Sequence, residues 1–422
     1  MSHLANLLFI FLKLFINKSD VIMSVRINTI PGAKSYPQNN GCIKWLMVLL
    51  LLLSTVLVLT LFLFIDGFAI NYRSFWGVVF GILAFIWSLA ASVYWLVFIT
   101  QCIRVDAWNK RREEVILRET QRGRRALQIL NLSLHTAMNG DSLVETTMNF
   151  LTRQSRLSTY SVLRGENMVR RSVIPVLTDQ PITSRLPEII SRLFSDIKPQ
   201  LCRLPDDFHI NVFFEINTPL SVPIVIDICK DEWQKAGFSR TCLFSNSARG
   251  LAVIDDWLDN EIHKKAVLLV ISLHLEPEQP ELTAESACAL LMANRLTQQE
   301  ITPLALLHRP ERVIDTTVMV DGIKQALDWM PVKPDALSGT WTATLNAEQR
   351  VALLSLNEPF IQEASLYELD AFLGRSDTAA PWLSIATAAL AAMHLHQPQL
   401  ALSGELGRDS LWAAVVSPHA LP

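Results

Sequence analysis

Residues Ser245 to Leu275 read SNSARGLAVIDDWLDNEIHKKAVLLVISLHL, and this stretch decides the fold. In its first half Leu251, Ile254 and Leu258 recur at helical spacing on one face, which predicts a helix over Ala248 to Ile262. Lys264 and Lys265 then lead into Ala266 to Leu275, a nearly unbroken apolar run. Such a run belongs in the middle of a sheet covered on both faces. A helix feeding a doubly buried strand points to a layered α/β architecture.

The same alternation extends on both sides. Leu127 to Leu134 reads as a buried strand. Asp141 to Leu151 reads as a helix entered through the turn Asn139–Gly140. Leu186 to Ile197 is an amphipathic helix, and His209 to Ile216, rich in Val, Phe and Ile, is a strand. Pro223 to Ala236 has proline near its start and Gly237 at its end, the ordinary punctuation of a helix. Ala287 to Ala293 is a further strand. Beyond it come helices over Ile314 to Met330, Ala347 to Leu356 and Pro381 to Met393, and a strand over Leu411 to Val416. Residues 126–422 suffice for one large domain or two intimately packed halves.

The whole chain has 422 residues and a net charge of -3, so bulk charge gives no pointer to nucleic acid. The six cysteines form no CxxC and no histidines cluster at ligand spacing. They read as reduced core or membrane-facing residues rather than a metal or disulfide framework. No phosphate loop or nucleotide fingerprint occurs, so no cofactor is expected.

The 50% apolar content is inflated by one region, Ile43 to Ile103. Trp45 to Ile65 and Phe75 to Ile103 carry no charge, and each exceeds the roughly 20 residues that cross a bilayer as a helix. The short gap Asp66 to Ser74 forces them antiparallel, so residues 43–103 are expected to form a transmembrane hairpin. Arg26, Lys34 and Lys44 precede it; Arg104, Lys110, Arg111, Arg112, Arg118, Arg122, Arg124 and Arg125 follow it; the gap holds only Arg73. That bias places a leader, residues 1–42, and the globular domain in the cytoplasm. Residues 104–125 are predicted as a basic juxtamembrane helix whose stripe, with Arg104, Lys110, Arg111 and Arg112 at its head, meets lipid headgroups. Glu114 and Arg118, four apart, are expected to pair along it. Gly77 and Gly81, also four apart, are a weak helix-packing signal beside lipid exposure. Leu4 to Ile16 is too short to span. It reads either as an interfacial helix or as an upstream extension, Met23 opening a polar, basic leader.

Several segments taken in order resemble the thiolase and β-ketoacyl synthase superfamily. LQILNLSLHTAMNG (Leu127 to Gly140) resembles the opening strand and loop. SNSARGLAVIDDWLDN (Ser245 to Asn260) followed by KAVLLVISL (Lys265 to Leu273) resembles the nucleophile turn, its buried helix and the next strand. TAESACALLMANR (Thr283 to Arg295) looks like the strand closing the first half. LGRSDTAAPWLSIATAALAA (Leu373 to Ala392) resembles the small-residue loop and helix that carry a catalytic histidine. SGELGRDSLWAAVVSP (Ser403 to Pro418) is similar to the terminal glycine loop and strand. The resemblance implies a five-layered α/β fold of two similar halves, about 126–295 and 296–422, each built on a five-stranded sheet, the two sheets stacked. It also implies a dimer-prone chain.

The resemblance places the family's nucleophilic cysteine, at the N-terminus of a buried helix where the dipole favours a thiolate, at Ser247. A serine there needs a neighbouring base to react, and serine is also a favoured helix N-cap. The loop that should bring a histidine reads GRSDTAA, with Arg375, Ser376 and Asp377. The second such region, SGTWTAT (Ser338 to Thr344), also lacks histidine. His308 and His394 stand at positions the pattern does not use, and His394 and His396 follow a helix end. The expectation is a pseudoenzyme: fold kept, condensing chemistry lost. Membrane-tethered degenerate thiolase-like domains resemble the lipase-adaptor proteins of bacterial type VI secretion. That resemblance implies an inner-membrane adaptor that loads an effector or another secretion component. The alternative is a membrane-surface acyltransferase in which Ser247 attacks an acyl thioester, with Asp377 or a displaced histidine as base. A channel or transporter is disfavoured, because neither span holds an ionisable residue.

Overall fold

The computed structural model describes residues 30–38, 41–65, 72–161, 168–178, 180–238, 242–246, 250–297, 301–330, 333–356, 358–362 and 365–419. The described residues divide into two compact units, one ending at Thr120 and the other beginning at Gln121. The segment Leu4 to Ile16 and Met23 lie outside the described residues.

The smaller unit holds α1 (Gly41–Ile65) and most of α2 (Tyr72–Gly123). Gly41 sits so close to the Tyr94 ring that a Cβ would overlap it, and the Trp87 indole N–H donates to the Trp45 carbonyl at 3.3 Å. These contacts between the start of α1 and the middle of α2 set the two helices antiparallel. The basic helix expected over 104–125 is not a separate element. With no glycine or proline between Gly81 and Gly123, nothing interrupts the backbone ladder, and α2 runs on through it. Arg111, not Arg118, takes Glu114, at 3.3 Å, and Arg118 lies beside Glu119 at 3.7 Å. Residues 30–38 lie along α2: the Lys34 amide donates to Asn109 Oδ1 at 2.9 Å, and Tyr36 to Asp106 at 2.5 Å.

The larger unit is a mixed α/β domain. Its strands are β1 (Ala126–His135), β2 (Ser158–Ser161), β3 (Met168–Arg171), β4 (His209–Asn217), β5 (Cys242–Asn246), β6 (Ala266–His274) and β7 (Ser286–Ala293), then β8 (Ala305–His308), β9 (Glu311–Val313), β10 (Gly339–Ala343), β11 (Leu366–Glu368), β12 (Gln399–Gly404) and β13 (Leu411–Pro418). Its helices are α3 (Leu143–Leu151), α4 (Ile182–Leu201), α5 (Val222–Lys235), α6 (Ala252–Asn260), α7 (Met319–Trp329), α8 (Ala347–Ser355), α9 (Leu369–Phe372) and α10 (Ala380–Leu395). β2 and β3 pair by themselves. The other strands form one sheet in the order β11-β10-β12-β13-β8-β1-β7-β6-β4-β5, with β9 on β13.

That order contains a duplication. In β5-β4-β6-β7-β1 and in β11-β10-β12-β13-β8, taking the main strands of each half in chain order, the third comes first, then the second, fourth, fifth and first. In both runs only the fifth strand, β7 or β13, is antiparallel to its neighbours. The two runs meet edge to edge where β1 pairs antiparallel with β8, from Ala126 opposite His308 to Ile129 opposite Ala305. The two stacked sheets implied by the resemblance are thus also joined by backbone hydrogen bonds into one continuous ladder.

Side-chain alternation along the strands sorts the interior into layers. Val267, Leu269 and Ile271 of β6 face α4 and α5, whereas Leu268 and Val270 face a central core shared with α3, α6 and α10. In the second run Ala401 and Ala414 face that central core, and Leu400, Leu402 and Val415 face α7. Helices therefore lie outside each run of strands and between them. α10 is buried all round from Ala380 to Ala392. Its apolar composition matches that of a membrane span, but here it is the signature of a central core helix.

Several elements differ from the sequence reading. α6 begins at Ala252 rather than Ala248, because Gly250 sits at φ +53, which a helix cannot continue through. The helix expected from Ile314 starts as a 3-10 turn, Thr316–Val318, capped by the Asp315 carboxylate, before α7. Strands β2, β3, β5, β8, β9, β10, β11 and β12 are not among the expected elements.

Two buried ion networks brace the larger unit. Arg309 donates to Asp255 at 3.0 Å and to Asp259 at 2.7 Å; Arg122 reaches Asp259 at 2.6 Å; Arg125 donates to the Leu258 carbonyl at 2.9 Å. Arg122 and Arg125, expected in the lipid-facing stripe, thus grip α6. Burial pushes Asp255 up to about 7. Against the same upward push, the Arg122 and Arg309 guanidiniums hold Asp259 below the usual carboxylate range. On the other side of the sheet, Arg185 of α4 grips Glu285 at 2.7 Å and Glu276 at 3.0 Å. Arg185→Ala leaves Glu285 buried without its partner and should cost about 3–5 kcal/mol in urea unfolding followed by tryptophan fluorescence. A loss under 1 kcal/mol would mean that this pair is solvated.

Candidate functional site

The C-terminal ends of β4 and β6 carry polar residues on the face turned toward the central core. Strand alternation places Glu215 after Phe213 on that face, and Ser272 and His274 after Val270. The register aligns them across strands. Glu215 lies opposite Ser272, which lies opposite Cys288 of β7; Asn217 lies opposite His274, which lies opposite Ser286. The Asn217 amide donates to His274 Nδ1 at 3.1 Å, which leaves the proton of the neutral ring on Nε2. His274 is fully buried, and burial lowers its pKa against the opposing pull of Asp377, so the ring is neutral at pH 7.

The loop before α10 closes over this face. Gly374 has φ +102, and a Cβ there would meet the Thr283 backbone at 2.8 Å, so only glycine fits. The Arg375 amide then donates to the Leu282 carbonyl at 2.9 Å, and the Ala284 amide to the Arg375 carbonyl at 2.8 Å, stapling the loop to the segment before β7. Asp377 is itself at φ +41. Its Oδ2 stands 4.0 Å from His274 Nε2 and its Oδ1 4.0 Å from Arg375 Nε.

Glu215 is 5% exposed, and burial pushes its pKa up to about 7 against the opposing pull of the Trp382 indole and the Gly250 amide. Glu215 Oε2, Ser272 Oγ, His274 Nε2, Ser376 Oγ, Asp377 Oδ1 and Trp382 Nε1 are buried with no hydrogen-bond partner within ordinary geometry among the described residues. A concentration of such groups is suited to ordered water or a polar ligand. The site holds two carboxyl side chains, Glu215 and Asp377, and a neutral imidazole. The thiol on the same face, Cys288, is pushed up to about 12 by burial and stays protonated. Among the described residues no group of His, Cys, Asp and Glu is arranged to hold a metal ion.

The expected site residues are placed as follows. Asp377 is in the cluster. Arg375 is on the same loop with its side chain half-exposed. Ser247 lies outside the described residues, between Asn246, the last residue of β5, and Gly250. The segment Ser338 to Thr344, expected as a site region, is the buried strand β10, where Thr340 Oγ1 donates to the Phe360 carbonyl at 2.6 Å. His308 ends β8, where its Nε2 bonds Ser417 Oγ at 2.9 Å and burial pushes its pKa down to about 4. His394 and His396 are exposed at the end of α10. Arg104, Lys110 and Arg111 are exposed on α2, and Arg112 donates to the Pro31 carbonyl at 2.7 Å. Glu215 and His274 were not expected. Their signal is a polar residue at every second position where an apolar strand ends: E-x-N in β4 and S-x-H in β6.

Glu215 titrates at about 4.5 in the unfolded chain and about 7 in the folded one. Between these values the folded state holds the extra proton, so its contribution to stability is full below pH 4.5 and is lost as pH rises through 7. Glu215→Gln should therefore gain on the parent chain by up to about 3 kcal/mol between pH 4.5 and 8, read by urea unfolding across pH. A difference that does not grow with pH would show a solvated carboxyl.

No family model matches the sequence, and no curated protein matches it. Solved structures do. The ishigamide ketosynthase/chain length factor superposes with a TM-score of 0.52 at 12% identity, over 69% of this chain and 99% of that one. Ketosynthase twelve of the bacillaene polyketide synthase of Bacillus amyloliquefaciens gives 0.48 at 11% identity, over 70% and 74%. Human mitochondrial 3-ketoacyl-CoA thiolase gives 0.44 at 11%, over 71% and 100%. The first of these, with the duplicated strand order, establishes a thiolase-like fold; at such identity it says nothing of activity.

Proposed function

We propose that this thiolase-like chain is a membrane-anchored, non-condensing adaptor or assembly component that acts by binding a protein partner. Its specific role on this reading is effector loading for type VI secretion at a bacterial inner membrane, with the N-terminus and the globular domain cytoplasmic. The observation that carries it is chemical: condensation needs a thiolate, and serine stands at position 247, where the resemblance calls for cysteine. Cys288, on the core-facing side of β7, is held protonated. The loop at Gly374 offers Arg375, Ser376 and Asp377 in place of an imidazole.

The membrane part rests on exposure and charge. Leu46 of α1 and Phe85 and Leu96 of α2 are 59–67% exposed, and the apolar window of α2 reaches a mean hydropathy of 2.2. Apolar surface on that scale is stable in lipid rather than water. The exposed Arg104, Lys110 and Arg111 follow directly and favour the cytoplasmic side. The dimer implied by the resemblance is part of the same reading.

A second reading has one observation in its favour: His274 and Asp377 face each other at 4.0 Å in a buried polar cluster. An acyltransferase would use Ser247 as nucleophile and one of these two as base.

The two readings separate experimentally. The full chain should stay in the membrane pellet through alkaline carbonate washing, and release into the supernatant would sink the anchored reading. Purified in detergent, it should turn over no acyl thioester, and Ser247→Ala should change nothing. Turnover abolished by Ser247→Ala establishes the acyltransferase instead. Affinity capture from native cells should recover a secreted effector or spike protein, and recovery of neither counts against the secretion role.

A further inference from the structure

The β2–β3 ribbon and the two segments beside it present a mixed apolar and basic surface. Along β3, Met168 and Arg170 alternate with Val169 and Arg171, so both turn to the more open face of the ribbon, where Met168 is 68% exposed. The Leu282 amide donates to the Arg170 carbonyl at 2.7 Å, and the Leu282 carbonyl accepts the Arg375 amide at 2.9 Å. Leu282 is thereby held between the backbones of two exposed arginines. It is itself 46% exposed at φ +55, a conformation that glycine would take without steric cost. Neither folding nor solubility calls for a leucine there. Arg156, also exposed, donates its amide to the Phe372 carbonyl at 2.7 Å, just ahead of Arg375 in the chain. The exposed acids on the segment leading to Leu282 are Glu278 and Glu281, and the Glu281 carboxylate accepts the Arg170 amide at 3.1 Å. Asp377 Oδ1 stands 4.0 Å from Arg375 Nε.

We infer that this patch docks on an anionic lipid surface, Met168 and Leu282 entering the headgroup layer while Arg156, Arg170 and Arg375 take lipid phosphates. An acidic protein segment would satisfy the arginines but leave two open apolar side chains among them in water. At a bilayer surface hydrocarbon and phosphate lie within a side chain's reach of each other, which suits both kinds of residue at once. Each arginine near such a surface strengthens binding about fivefold. A domain tethered to the bilayer meets that surface at high effective concentration, so contacts that are weak singly suffice. The inference rests on the proposal that the chain is membrane-anchored, and adds a second contact, made by the globular domain with the headgroups.

The test places the photo-cross-linker p-benzoylphenylalanine at Leu282 of the full chain. The protein is irradiated in nanodiscs of phosphatidylcholine, with and without phosphatidylglycerol, and adducts are read by mass spectrometry. Lipid adducts should form in the anionic discs and drop about fivefold with Arg170→Gln, which leaves the backbone bonds of that residue in place. The same probe at Met168 should behave alike, and keeps the test open if replacing Leu282 disturbs folding. The probe at Val351, 69% exposed on α8, sets the background. Lipid adducts no more abundant than that background, or equally abundant in neutral discs, would overturn the inference. So would irradiation in native cells that yields protein adducts in place of lipid. The carbonate wash reads the anchor separately: a chain kept in the membrane pellet without lipid adducts at Met168 and Leu282 sinks this inference alone.

Discussion

One helix with no free face organises the domain. α10 is enclosed from Ala380 to Ala392, so its neighbours must cover it on every side. Ala386, Ala388, Ala389, Ala391 and Ala392 keep its girth small enough for strands of both runs to approach it, while Trp382 fills the wide end against Phe213 at 6.2 Å. Close packing leaves no slack around such a helix. The duplicated strand order and the β1–β8 seam are the covalent and hydrogen-bonded means of bringing two apolar sheet faces to one helix.

The candidate site follows from the same enclosure. The loop that starts α10 is stapled beside β7, and α10 enters under the ends of β4 and β6. Polar residues at those ends therefore become buried without losing their polarity. Glu215 and His274 have shifted protonation because water is excluded, not because of one dominant charge partner. A low-dielectric chamber with unpaired polar groups is an environment in which chemistry or polar binding is possible. Among the described residues its thiol, Cys288, stays protonated.

The basic residues after the apolar helices do two different jobs. Arg104, Lys110 and Arg111 remain exposed. Arg122 and Arg125 close the ion network with Arg309 on α6. The final turn of α2 is thereby fixed to the central layer that also supports the site.

The sequence by itself determined the long, strongly periodic elements. The apolar run of β6, the amphipathic α4 and the alanine-rich α10 each carry enough side-chain pattern to declare their partners' polarity, and the ordered motifs pointed to a thiolase-like fold. Short strands such as β8, β9 and β11 were not legible, because three or four residues hold too little pattern and form only when a neighbouring edge supplies hydrogen bonds. Asp377 was readable as a site residue from its loop; Glu215 and His274 were not, since a lone acid or imidazole in an apolar strand has no meaning until the register sets it opposite another. Which arginines serve the surface and which serve the core was likewise decided only by folding: charge is written in the chain, but its desolvation and its partners are properties of position in space.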